Sequence, residues 1–123
     1  MTIRPKRRHK NTRRAFKARE HPKHRQWVRG FECCVTRWIL KDLPCGGNIV
    51  FAHVRDGITD FSERGGIGLK PDDRHGVPMC LVHHTEQHAL GEARFERKYG
   101  IDLTKLAQGF AKDSPYRHEW ESK

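Results

Sequence analysis

The segment Cys80-Leu81-Val82-His83-His84-Thr85-Glu86-Gln87-His88 most constrains what this chain can fold into. It gathers one of the four cysteines and three of the nine histidines, in a chain of 123 residues that is only 35% hydrophobic and 33% charged. That much apolar material is too little for a self-sufficient core, so something besides burial has to hold the fold. At a strand-to-helix turn, Cys80 and His83 can aim a sulfur and an imidazole at one ion, as in half of a tetrahedral zinc knuckle. Cys45 with either Cys33 or Cys34 would complete four ligands, and structural zinc is the expected cofactor. The plainer alternative is that Cys80 is a small buried residue and His83 a surface histidine. Disulfides are disfavoured, because the adjacent Cys33 and Cys34 would serve two separate partners poorly.

The length fits one compact domain with a tail and excludes a multidomain enzyme. No run approaches the roughly 18 apolar residues of a membrane span, and no apolar stretch follows the basic N-terminus as in a secretory signal. The expectation is a cytoplasmic protein with no membrane contact, whose thiols stay reduced and open to metal.

The formal charge of +10 sits almost wholly at one end. Residues 1–25 hold eleven Lys or Arg, among them Arg7, Arg8, Arg13 and Arg14, against the single acid Glu20. Such a block repels itself and buries nothing, so it reads as a disordered arm that binds a polyanion, most plausibly nucleic acid. A solubility tail and an Arg-rich organelle presequence are the competing readings.

The rest predicts an α+β domain over 26–112 and a frayed tail over 113–123. Pro22 opens a short helix that Gly30 closes. Asn48 to Arg55 reads as a strand, Asp56 to Arg74 as a long glycine-rich loop, and Val77 to Met79 as a short returning strand. Three helices follow: Cys80 to Leu90, ended by Gly91; Glu92 to Tyr99, ended by Gly100; and Leu103 to Lys112. Asp102 caps the last, whose apolar stripe is Leu103, Leu106 and Phe110.

His84 and His88 are four apart, so on a helix they share a face and can bind one ion, while His83 points elsewhere. Two separate sites are expected. A zinc protease needs Glu directly after the first histidine of such a pair, where Thr85 stands, and no closely spaced cysteines provide a two-Cys two-His finger. His53 and Arg55 lie two apart in the first strand and so face the same way, pairing a potential base with a phosphate-binding guanidinium. Strand, loop, strand and a helix with two ligating histidines is the order of a ββα-metal finger, in which the strand histidine activates water.

Ala52-His53-Val54-Arg55, the loop Gly68-Leu69-Lys70-Pro71-Asp72-Asp73, and Val77-Pro78-Met79-Cys80 with His83, His84 and His88 together resemble the phage-type HNH endonucleases. Similarity is greatest to the recombination-enhancement-function nucleases and their prophage relatives. Gly91-Glu92, Phe95-Glu96 and Tyr99 to Leu103 add to it, and the likeness covers roughly residues 24 to 106. The resemblance implies a zinc-stabilised ββα-metal (HNH, His-Me finger) domain with flanking helices that cuts DNA with a divalent metal, Mg²⁺ or Mn²⁺, or Zn²⁺ or Ni²⁺. It makes His53 the general base and His84 and His88 the catalytic metal ligands. Cys80 and His83 match the second zinc pair, and Cys45 with Cys33 or Cys34 the first. Ala52 departs from the pattern where many HNH enzymes place an acidic ligand, and no Asn holds the middle of the motif. His75 lies near that place, and Asp73 is the candidate for orienting His53. Arg55 and Lys70 are candidates for flanking phosphates, RNA is a second possible substrate, and the likeness extends to recruitment by a recombinase filament. The rival reading is a zinc-stabilised nucleic-acid-binding protein without catalysis.

Overall fold

A computed structural model of the chain describes residues 19–35, 44–58 and 71–121. Of the expected nucleic-acid contacts, Arg7, Arg8, Arg13, Arg14 and Lys70 lie outside the described residues, as does the glycine-rich stretch 59–70.

Helix α1, Pro22–Val28, opens with a proline in its first turn, where the missing N–H costs no hydrogen bond. Strands β1, Ile49–His53, and β2, Gly76–Cys80, form a two-stranded antiparallel sheet. Their register pairs Ile49 with Cys80, Phe51 with Pro78 and His53 with Gly76. The first strand is shorter than the sequence predicts. Beyond His53 only Val54 N–H still reaches the facing chain, donating to His75 O at 3.0 Å, and Arg55 lies exposed after the strand.

β2 runs straight into helix α2, Leu81–Leu90, with Cys80 as its N-cap. Gly91 follows at φ 86°, then α3, Glu92–Tyr99, which ends at Gly100 in the left-handed conformation that glycine adopts without strain. Asp102 accepts from Lys105 N–H at 3.0 Å and caps α4, Leu103–Asp113. All five residues of β2 are buried, packed by α4 and by α1. The core gathers Ala52, Val54, Val77, Met79, Phe95, Tyr99, Leu103 and Ala107. Phe95 and Tyr99, one turn apart, bring their ring centroids to 4.9 Å. In α4 the buried face is Leu103 and Ala107, while Leu106 and Phe110 turn partly outward. Phe110 instead meets Trp27 at 6.2 Å and Phe31 at 5.2 Å.

Two expectations at the ends of the domain change. The chain beyond Asp113 is not frayed: Ser114 is fully buried, and a short helix α5, His118–Glu121, lays Trp120 edge-on against His21 and His24, both at 4.9 Å. The arm does not extend to residue 25, because Arg19, His21 and His24 are buried. The folded unit therefore reaches from residue 19 to residue 121 among the described residues. Here the fold is a small mixed assembly of helices on a two-stranded sheet, and no helix among the described residues is long and apolar enough to cross a membrane.

Candidate metal centre and histidine pocket

Three chain segments converge beside the junction of β2 and α2. Cys80 ends the strand, His83 sits in the first helical turn, Cys33 follows α1, and Cys45 comes from the loop 44–48. That loop is pinned to the helix start by Leu81 N–H on Asn48 O at 3.0 Å and Val82 N–H on Gly46 O at 3.1 Å. The approach is close enough to demand glycine at position 47, where φ is 81° and a Cβ would stand 2.7 Å from Leu81 Cβ.

The donor atoms of Cys33, Cys45, Cys80 and His83 all lie within 4.8 Å of one another. His83 Nδ1 is 3.7 Å from Cys33 Sγ, 3.6 Å from Cys45 Sγ and 3.1 Å from Cys80 Sγ. With Zn–S near 2.3 Å and Zn–N near 2.0 to 2.1 Å, tetrahedral angles separate sulfur and nitrogen by about 3.6 Å. A ring nitrogen offers one lone pair or one proton, so three sulfurs cannot all be its hydrogen-bond partners. A shared cation satisfies all four donors at once, and the cluster can hold a metal such as zinc. Cys34, left open as an alternative by the sequence, is not among the four. Its hydrogen bond with Cys33, together with burial, pushes its thiol up and keeps it protonated.

His84 and His88 leave the same helix on another face. Their Nε2 atoms lie 3.1 Å apart, and they share an open cavity of about 470 Å³ with His53, Phe51, Arg55 and Glu92. Burial first, then the neighbouring His88 and His53, lowers the His84 pKa from its ordinary value and favours the neutral, lone-pair form. Glu92, at the start of α3, accepts from Arg55 N–H at 2.9 Å and Asp56 N–H at 3.0 Å, which fixes the chain as it leaves β1. Burial raises the Glu92 pKa against the pull of those two bonds.

His53 Nε2 lies 2.8 Å from Asp73 Oδ1. An ionised carboxylate only accepts, so Nε2 carries the proton and Nδ1 keeps the lone pair. Asp73 Oδ2 accepts from His21 N–H and from Arg25 Nη1, each at 2.9 Å. Burial opposes ionisation here, but the bonds from His53 and His21 and the charge of Arg25 hold the carboxyl below its usual range. Next to it, Asp72 is taken down to about 2, against burial, by His21 and by the backbone and guanidinium of Arg74.

Behind this pair lies a buried layer that the sequence did not disclose. His21 Nδ1 is 2.8 Å from Glu119 Oε1, and its Nε2 stands 3.5 Å from Asp72 Oδ1. Burial works against its charge, yet Asp72 and Glu119 together raise its pKa. His24 is fully buried, with Nδ1 2.9 Å from Ser114 Oγ, and burial foremost, with His21 nearby, lowers its pKa to about 4. Counting charge along the arm hid His21, His24 and Arg25. Pro22, opening a helix with Trp27 and Val28, was the one signal that folded structure starts there.

Among curated proteins, the chain is 37% identical over 82 residues to "Uncharacterized protein YdfU" of Escherichia coli strain K12. The match takes in 67% of this chain and 22% of that protein, so the chain spans less than a quarter of the relative's length. Neither a family model nor a solved structure matches.

Proposed function

We propose that this protein is a metal-dependent endonuclease of the HNH type that hydrolyses phosphodiester bonds in DNA, with a Cys33, Cys45, Cys80 and His83 zinc centre bracing its catalytic finger. The observation that carries the reading is that His53, oriented by a hydrogen bond to Asp73, lines the same open cavity as the paired His84 and His88. A histidine fixed in one tautomer beside two converging imidazoles offers a base and a place for a divalent ion, two things that phosphodiester hydrolysis uses.

In this reading His53 Nδ1 takes the proton of the attacking water as Asp73 stabilises the imidazolium that forms. Two imidazole nitrogens on one ion at right angles, each about 2.1 Å from it, stand about 3 Å apart. The His84 and His88 separation of 3.1 Å fits that arrangement. A divalent ion held there would supply positive charge for the developing phosphorane and the leaving oxygen. Mn²⁺, Ni²⁺ and Zn²⁺ suit imidazole ligands, and Mg²⁺ serves when substrate and water add oxygens. Arg55, exposed and lining the cavity, holds a neighbouring phosphate oxygen in this reading. Lys70 and the arginines of the arm belong to the same reading as sequence-independent phosphate contacts, and a recombinase filament is the partner the family likeness adds.

The experiment is nicking of a supercoiled plasmid by the purified chain, with a chelator and with each divalent metal added back, beside His53→Ala. Metal-dependent nicking that falls about 10²-fold or more in folded His53→Ala protein is the expected result. Binding of the plasmid without nicking under any metal would replace this reading with the non-catalytic zinc protein. Parallel reactions on single-stranded RNA decide the substrate class.

A further inference from the structure

Asp73 is held from the side opposite His53, and nothing in the proposed chemistry uses that hold. Its Oδ2 receives the Arg25 guanidinium and the His21 N–H, both at 2.9 Å, and its own N–H donates to Arg19 O at 2.9 Å. Segment 19–25 thus grips the aspartate by backbone and side chain together. Its side chain is 5% exposed, so the ion pair with Arg25 works through little water, although Arg25 itself is 34% exposed.

We propose that Arg25 is a positioning residue for His53: by occupying one oxygen of Asp73 it leaves the other as a fixed acceptor, which sets the tautomer and limits the negative field felt by the imidazole. The inference rests on the nuclease reading, in which His53 acts as the base, and it extends the pair to an Arg25, Asp73 and His53 relay. The His21 N–H shares the oxygen that Arg25 occupies, and Arg25 adds the charge that keeps Asp73 ionised, so that its other oxygen stays an acceptor for the His53 Nε2–H. The cation also offsets part of the aspartate charge. The other charged or titratable groups lining the cavity with His53 are His84 and His88 of α2, Glu92 of α3, and Arg55 and Asp56 beyond β1. None of them is altered by a change at position 25. The contact with Asp73 runs through one guanidinium nitrogen and is not bidentate, so a lysine that reaches the same oxygen should replace it in part.

The test compares full-length, zinc-loaded wild type with Arg25→Gln and Arg25→Lys by two independent readouts. Imidazole ¹⁵N NMR follows the His53 tautomer, and plasmid nicking gives kcat and KM. In Arg25→Gln the Nε2–H tautomer should no longer dominate, and kcat should fall several-fold. KM should stay within about twofold, since Arg25 does not line the cavity. Arg25→Lys should recover most of both effects. An unchanged His53 tautomer and kcat in folded Arg25→Gln overturn the proposal while leaving nicking by the wild type, and so the nuclease reading, intact. The reverse result, a changed tautomer in a protein whose wild type nicks nothing, sinks the nuclease reading and upholds the hold of Arg25 on His53.

Discussion

Replacing Cys33 by serine and, separately, Cys34 by serine asks the metal centre a question that neighbouring residues rarely permit. The two thiols are adjacent and equally buried, 2% and 1% exposed, yet only Cys33 stands within the cluster at 3.7 Å from His83 Nδ1. Structural zinc sites carry an apparent binding free energy of about 10–16 kcal/mol, so one donor of four accounts for roughly 3 kcal/mol, about a 100-fold loss of affinity. That is a large part of the roughly 5–15 kcal/mol by which a domain of this kind is stable. Cys33→Ser should therefore lose zinc to a competing chelator and melt at markedly lower temperature. Cys34→Ser exchanges one buried hydrogen-bonding group for another and should keep one zinc per chain at a cost of about 1 kcal/mol. Metal content after dialysis against a chelator of known affinity, with a thermal melt of the same samples, reads both quantities. Zinc retained by Cys33→Ser and lost by Cys34→Ser would overturn the assignment, and zinc held equally tightly by both would show that neither thiol is a ligand.

Other expectations can be checked as directly. His24 has a folded pKa of about 4 against an ordinary 6.5, so its neutral form stabilises the fold fully above 6.5 and that contribution is lost as pH falls through 4. The difference corresponds to about 3 kcal/mol at acid pH, and an NMR titration of His24 with its midpoint near the ordinary value would refute it. Gly76→Ala would set a Cβ 2.1 Å from Phe51 Cζ, in a ring that stands edge-on to His53 at 5.1 Å. Stability should fall by about 1–3 kcal/mol and nicking should drop while zinc content holds; wild-type values in both would show that the ring relaxes freely. Deleting residues 1–18 removes eight Lys or Arg and spares the grip on Asp73. If half of these touch phosphate, the slope of log affinity against log salt should flatten by about 3 to 4 on duplex DNA, and superimposable salt curves would rule out the arm as a DNA-binding element.

What the sequence disclosed was whatever local chemistry dictates. Gly91, Gly100 and Asp102 mark helix ends by backbone freedom and capping, so α3 and α4 were legible almost to the residue. The spacing of Cys80 and His83, and of His84 and His88, separated two donor sets because helical geometry alone turns His83 away from its neighbour. The choice between Cys33 and Cys34 was not legible, since it depends on which way the backbone turns after α1. The buried histidines were hidden for a different reason. His21 and His24 sit in a stretch whose average composition is that of a solvated basic tail, and contacts far away in sequence, with Asp72, Ser114, Glu119 and Trp120, make them interior. The same contacts order the chain after Asp113, where no apolar periodicity announces a helix.

The pairing of His21 with Glu119 spans 98 positions, and translation makes its two ends at different times. At roughly 5–20 residues per second, α1 waits on the order of 5 to 20 seconds for the strand of residues that will cover it. During that interval His24 lacks Trp120 and Ser114, and the segment that grips Asp73 has one side open to water. The candidate zinc ligands, complete at His83, are made well before Glu119. The order of synthesis thus lets metal capture come before closure of the clasp behind Asp73, which waits for Glu119 and Trp120.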